Sequence, residues 1–127
     1  IDLHVEVPAV QYRDLSDRRQ GETSEAIRAR VSRAREVQRE RFAGRADIHA
    51  NAHMAARDLR DFCRIGEGGE ALLRTAITRL GLSARAYHRV LKIARTIADL
   101  DGAAEIGTAH VSEAIQYRSL DRAKAVA

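Results

Sequence analysis

The sequence predicts an all-α fold, a small bundle of about five helices preceded by one orphan β-strand and a linker. Three observations carry this. From residue 23 onward, apolar residues recur at helical spacing between recognisable caps. Hydrophobic residues make up 45% of the chain, yet much of that is alanine and aromatics are only 4%, a composition suited to thin, closely packed helices. The opening stretch IDLHVEVP behaves differently: Leu3, Val5 and Val7 alternate with Asp2, His4 and Glu6 until Pro8. That period of two is the pattern of a half-buried strand, and proline stops it because it has no N–H for a ladder.

The elements follow in order. Residues 9–22 are polar and without period, so 1–22 read as strand plus linker, 23–122 as the helical domain and 123–127 as a tail. Thr23 or Ser24 caps a long first helix, with Glu22 and Glu25 near its positive end. Ile27, Val31, Ala34, Val37 or Gln38, and Phe42 trace a narrow apolar stripe through many arginines, and Gly44 suits the C′ position. Such a helix can bury only one face, so it should lie across the bundle. Residues 45–53 read as a loop, and a short helix at 55–64 turns Leu59, Phe62 and Cys63 inward before Gly66, Gly68 and Gly69 break it. The next helix, GEALLRTAITRLG, aligns Leu72, Leu73, Ala76, Ile77 and Leu80 and ends at Gly81. Ser83 then caps ARAYHRVLKIARTIADLDG, which Gly102 ends, and Thr108 caps a last helix built on Val111, Ala114 and Ile115.

Charge and motifs narrow the function. The 22 Lys+Arg against 18 Asp+Glu give a net charge of +4, carried almost entirely by arginine, which is compatible with phosphate or nucleic-acid contact without demanding it. The single cysteine, Cys63, forms no internal disulfide and reads as a buried structural thiol rather than a nucleophile. Nothing resembles a signal peptide or a membrane span, so the expected location is the cytoplasm, with no membrane partner. His49 and His53 lack a third ligand at metal-site spacing, so no metal site is expected. GEGG at 66–69 lacks the lysine of a phosphate loop, and no Ser/His/Asp arrangement stands out. The chain by itself has no evident catalytic equipment.

The helix at 84–101 is the most informative. Tyr87, Val90, Leu91, Ala94, Ile97 and Ala98 form a core face, while Arg85, His88, Arg89, Lys92, Arg95 and Asp99 fall on the opposite one. A stripe of three arginines and a lysine suits phosphates, because guanidinium offers a bidentate fork and keeps its charge. An ordinary solvated face fits the spacing equally. Arg85 adds a hint: a cation in the first turn costs a few tenths of a kcal/mol against the helix dipole, and fits better where an anion visits.

Three stretches together, IDLHVEVP, GETSEAIRARVSRAREVQRERFAG and GLSARAYHRVLKIARTIADLDG with AHVSEAIQYRSLDR, resemble the C-terminal part of the magnesium-chelatase-like AAA+ ATPases, in the branch of ComM-type competence proteins. The resemblance covers nearly the whole chain. It implies an AAA+ lid, with IDLHVEVP as the last strand of an ATPase core sheet that begins one residue after a finger-type arginine, and with residues 1–20 frayed. It implies that Arg85, following Ser83-Ala84, is a sensor-2 arginine directed at the ATP γ-phosphate in catalysis, in cis or in trans, and that Arg89 shares the nucleotide contact. Lys92 and Arg95 are weaker candidates for nucleic acid. ATP and Mg2+ belong to the longer parent, with none expected on the chain alone. The implied partners are the core domain, neighbouring subunits of a hexameric ring, and DNA that the parent translocates in branch migration during competence or recombination. The rival is a free-standing helical module binding DNA through Arg85, Arg89, Lys92 and Arg95.

Overall fold

The computed structural model describes Leu3, Val5 and residues 21–118. Within them run five helices: α1 (Ser24–Arg41), α2 (Ala56–Phe62), α3 (Glu67–Leu80), α4 (Ala84–Leu100) and α5 (Thr108–Gln116), with a 3-10 turn at Asn51–His53 before α2. The all-α bundle is therefore as the sequence predicts. The predicted strand, most of the linker and the tail lie outside the described residues. Leu3 and Val5 carry no strand assignment, and an isolated parallel bridge between Ile65 and Ile106 is the one β contact among the described residues.

Short-range chemistry starts and stops these helices. The Thr23 hydroxyl accepts from the Ala26 N–H at 3.1 Å, and the Ser83 hydroxyl does the same for Ala86 at 3.1 Å. Each satisfies a backbone donor that the first helical turn leaves open. Gly81 closes α3 at φ +64°, in the left-handed region that suits a residue without Cβ.

Two boundaries differ from the sequence reading. Gly68 and Gly69 lie inside the first turn of α3 rather than breaking the chain before it. Their role is close approach: a Cβ on Gly69 would stand 3.2 Å from the Ile65 Cβ and 3.4 Å from Val111 Cγ2 of α5. Thr108 is the first residue of α5, and Gly107 occupies the cap. Glycine has no side chain to cap with, so His110 reaches back instead. Its Nδ1 accepts the Gly107 N–H at 2.8 Å while Nε2 donates to Asp101 at 2.9 Å. An Nδ1 that accepts a backbone N–H fixes the Nε2–H tautomer.

The core centres on the α4–α5 seam. Val90, Ala94 and Ala98 of α4 and Val111 and Ala114 of α5 are fully buried. Alanines on both sides let the two backbones approach closely, so the low aromatic content costs little packing. α3 packs on the other side of α5, whereas α1, α2 and the 3-10 turn pack on α4. The 45–54 segment is more than a connector: Ile48 and Met54 are buried in the core, and Phe42 meets Phe62 edge-to-face at 5.3 Å. α1 lies across the bundle on one face. Of its predicted stripe Ala34, Gln38 and Phe42 are buried, while Ile27 and Val37 remain exposed.

A buried polar cluster ties the outer helix to the central one. The Asp99 carboxylate accepts two hydrogen bonds from the Arg41 guanidinium, at 2.7 and 2.8 Å, and a third from Asn51 Nδ2 at 2.9 Å. Arg95, one turn earlier on α4, approaches the same carboxylate at 3.2 Å and donates to the carbonyls of Ala103 and Ala104 at 3.0 and 3.1 Å. Asn51 also donates its N–H to Gln38 Oε1 at 2.9 Å and accepts from Arg41 at 3.1 Å. The carboxylate thus accepts three hydrogen bonds and has a second guanidinium beside it. Arg95 and Asp99 are each 4% exposed, so the expectation that they share a solvent-facing stripe with Arg85 is corrected. The physical reason is that α4 runs through the middle of the bundle, where its C-terminal half is covered on both flanks.

Removing one partner of a buried, hydrogen-bonded ion pair leaves the other charge uncompensated, typically at about 3–5 kcal/mol. Asp99→Ala should therefore lower stability to chemical denaturation by about that amount, whereas Arg28→Ala on the exposed face of α1 should change it by less than about 0.5 kcal/mol. Gly69→Leu should cost about 1–3 kcal/mol in the same measurement, because the added side chain meets α5. Cys63 is buried against the Met54 sulfur at 4.0 Å, and burial pushes its thiol up to about 11. At pH 8 only about a thousandth of it is thiolate, so alkylation of the native chain should be slow and should become fast in denaturant.

Candidate functional site

With Arg95 and Asp99 inside the bundle, the solvent-facing strip of α4 comprises Arg85, Arg89 and Lys92, with His88 beside them. Their burial grades along the helix. Arg85 is exposed, and His88, Arg89 and Lys92 are half-buried. Arg85 has no hydrogen bond or ion pair among the described residues. Lys92 is already engaged, donating from Nζ to the Ala52 carbonyl at 3.0 Å and so bracing the 3-10 turn. The structure therefore brings Arg85, Arg89 and Lys92 onto one surface and withdraws Arg95 from it.

The N-terminus of α4 is electrostatically open. α1 carries Glu25 in its first turn, α2 carries Asp58 and α3 carries Glu67 and Glu70, whereas α4, like α5, has no acidic residue there. Ser83 occupies the Ala86 N–H, which leaves the amides of Ala84 and Arg85 facing outward beside a guanidinium. Positive partial charge from the helix and full charge from Arg85 add at that point. Its donor set fits phosphate oxygens and offers nothing to a cation.

A cleft of about 410 Å³ opens between α2 and α4, with Tyr87 and His88 on one wall, Arg60 and Arg64 on the other, and Cys63 at its base. The Tyr87 and His88 rings lie 5.6 Å apart. Sequence reasoning passed over Arg60 and Arg64. Arg60 lies on α2 and Arg64 just past its end, where its Nε donates to the Arg60 carbonyl at 3.4 Å, and nothing local to either indicates that they border α4. On the far side of α2, Asp58 is held below the usual carboxylate range, first by the Ala55 N–H it accepts and then by Arg45. That pair fastens the start of α2 to the end of α1 and so fixes the cleft wall.

No group of three or more metal-ligating side chains converges among the described residues. His49 and His53 meet ring to ring at 6.0 Å, with the His49 N–H donating to His53 Nδ1 at 3.2 Å. No helix of the described residues is long and apolar enough to cross a membrane.

Residues 21–118 match the family described as magnesium chelatase, subunit ChlI C-terminal. The competence protein ComM of Haemophilus influenzae is 41% identical over 122 residues, covering 95% of this chain and 23% of that protein. The YifB protein of Salmonella typhimurium is 36% identical over the same length, again 95% of this chain and 23% of its own. YifB of Escherichia coli is 39% identical over 102 residues, 80% of this chain and 19% of that protein. The chain thus spans about a quarter of the length of these relatives. The matched segment contains all five helices and the open α4 terminus, and the chain belongs to the magnesium chelatase subunit ChlI C-terminal family.

Proposed function

We propose that the chain is the helical lid of an AAA+ ATPase and that Arg85 is its sensor-2 arginine, directed at the γ-phosphate of a nucleotide held by the rest of the ATPase. The observation that carries this reading is the exposed Arg85 guanidinium, without a partner among the described residues, in a helix first turn that lacks acid. Negative charge spreads over the transferring phosphoryl oxygens in the transition state, and a positioned guanidinium stabilises it. Arg89, one turn along α4, lies on the same side and supports the contact. ATP with Mg2+ supplies the phosphoryl group when bound to the parent. The role of this chain is to hold Arg85 at the right place and to move it with the bundle as one body.

In this reading the parent is a cytoplasmic, ring-forming ATPase, hexameric, that works on DNA in competence or recombination. The relationship to a competence protein favours that assignment. The rival, a free-standing DNA-binding module, now rests on Arg85, Arg89 and Lys92 alone, because Arg95 is committed to the interior. A strip that short supports few phosphate contacts, which weakens the rival.

Turnover by the intact parent separates the two. Arg85→Ala should lower ATP hydrolysis at least about tenfold, or about 1.4 kcal/mol, while ring assembly is unchanged. Unchanged turnover would remove the sensor assignment. DNA binding by the 127-residue chain that weakens steeply with added salt would instead establish the rival.

A further inference from the structure

The cleft between α2 and α4 continues past its own lining. A second hollow of about 240 Å³ adjoins it, between α3 and the start of α4, and the two share Ile65, Glu70 and Tyr87. Both have the same make-up. The base is apolar, with Leu59, Cys63 and Leu91 in the first hollow and Leu73 and Ile77 in the second. The rim is basic, with Arg60 and Arg64 on the first and Arg74 on the second. All three arginines are exposed. Arg64 places its Nε on the Arg60 carbonyl, and none of the three is paired with a carboxylate among the described residues. Glu70 is the one acidic residue lining either hollow, and it lies where they join.

We propose that the two hollows form one docking groove for a partner's peptide segment, which carries two large apolar side chains with Asp or Glu on their outer sides. Each apolar base takes one anchor, and the Tyr87 ring at the junction gives both a rigid surface to pack on. Arg60 and Arg64 at one end and Arg74 at the other then meet the flanking carboxylates, which a guanidinium grips at two points. The order of charges selects this occupant over a nucleic-acid strand. A strand carries a phosphate at every nucleotide and would bring one against Glu70 in the middle of the groove. The base of the groove selects against it too. A nucleobase has donors and acceptors along its edge, and Leu59, Leu91, Leu73 and Ile77 offer them no hydrogen bond, so burying it there is costly. A leucine or phenylalanine side chain has no such edge. Tyr87 and His88 follow Arg85 within one turn of α4, so a docked segment lies beside the helix start. The groove stands whether or not Arg85 meets a phosphate.

Selection from a displayed library of random dodecapeptides on the 127-residue chain tests this. The enriched sequences should share two of Leu, Ile, Met or Phe at a fixed spacing, with Asp or Glu outside them. One such peptide, synthesised with a fluorescent label, should bind at least about tenfold more weakly to the double variant Arg60→Glu, Arg64→Glu, and more weakly also to Arg74→Glu. The same reversal at Arg28 and Arg33, on the exposed surface of α1, should leave its affinity nearly unchanged. All five side chains are exposed, so these variants should keep the fold, which circular dichroism checks. Added salt should weaken the binding without abolishing it, because the apolar anchors remain. Absence of a shared motif would overturn the proposal, as would a motif whose binding ignores Arg60, Arg64 and Arg74. So would a labelled single-stranded oligonucleotide that competes with the peptide and is lost in the same variants, which would make nucleic acid the occupant.

Discussion

One carboxylate organises this bundle. Asp99 sits near the end of α4 and receives Arg41 from α1, Asn51 from the 3-10 turn and Arg95 from its own helix, while Arg95 reaches on to the carbonyls of Ala103 and Ala104. α1 has few apolar residues facing inward, so burial alone holds it weakly to the bundle. The bidentate Arg41 contact supplies direction: a planar guanidinium on a carboxylate fixes the angle at which α1 crosses α4. The same cluster ties down the 45–54 segment, whose Ile48 and Met54 then complete the core.

With its C-terminal half anchored from several sides, α4 presents charge from the exposed side of its N-terminal half, whose other side carries the buried Ala86 and Val90. A contact to a phosphate oxygen needs a side chain placed to within a fraction of an ångström, and placement of that kind comes from packed helices rather than loops. Arg85 extends from such a helix. The alanine seam with α5 holds that helix in place behind its exposed strip.

His110 and Gly69 show how the second half of the bundle is closed with small means. Gly69 lets α3 come against Val111, and His110 replaces the absent cap of α5 while reaching Asp101 at the end of α4. These contacts join α3, α4 and α5 at one end without large side chains, in keeping with a chain that has only 4% aromatics.

The number and type of helices, most of their starts and their inward faces were determined by the sequence itself, because caps such as Thr23 and Ser83 and the 3.6-residue period act within a few residues. Arg85 was legible for the same reason, as a cation at a helix start, and the long motifs around it gave the family. Burial of Arg95 and Asp99 was not legible, since their spacing on α4 is that of an ordinary surface pair. Only the arrival of Arg41, fifty-eight residues away in sequence, turns the pair inward. The glycines at 68 and 69 misled for a similar reason: as local signals they break helices, and their actual use depends on α5 lying close by. Local hydrogen bonding and periodicity set the elements. Contacts between residues far apart in the chain decided which charges face water, because solvent exposure is a property of the neighbours that cover a side chain.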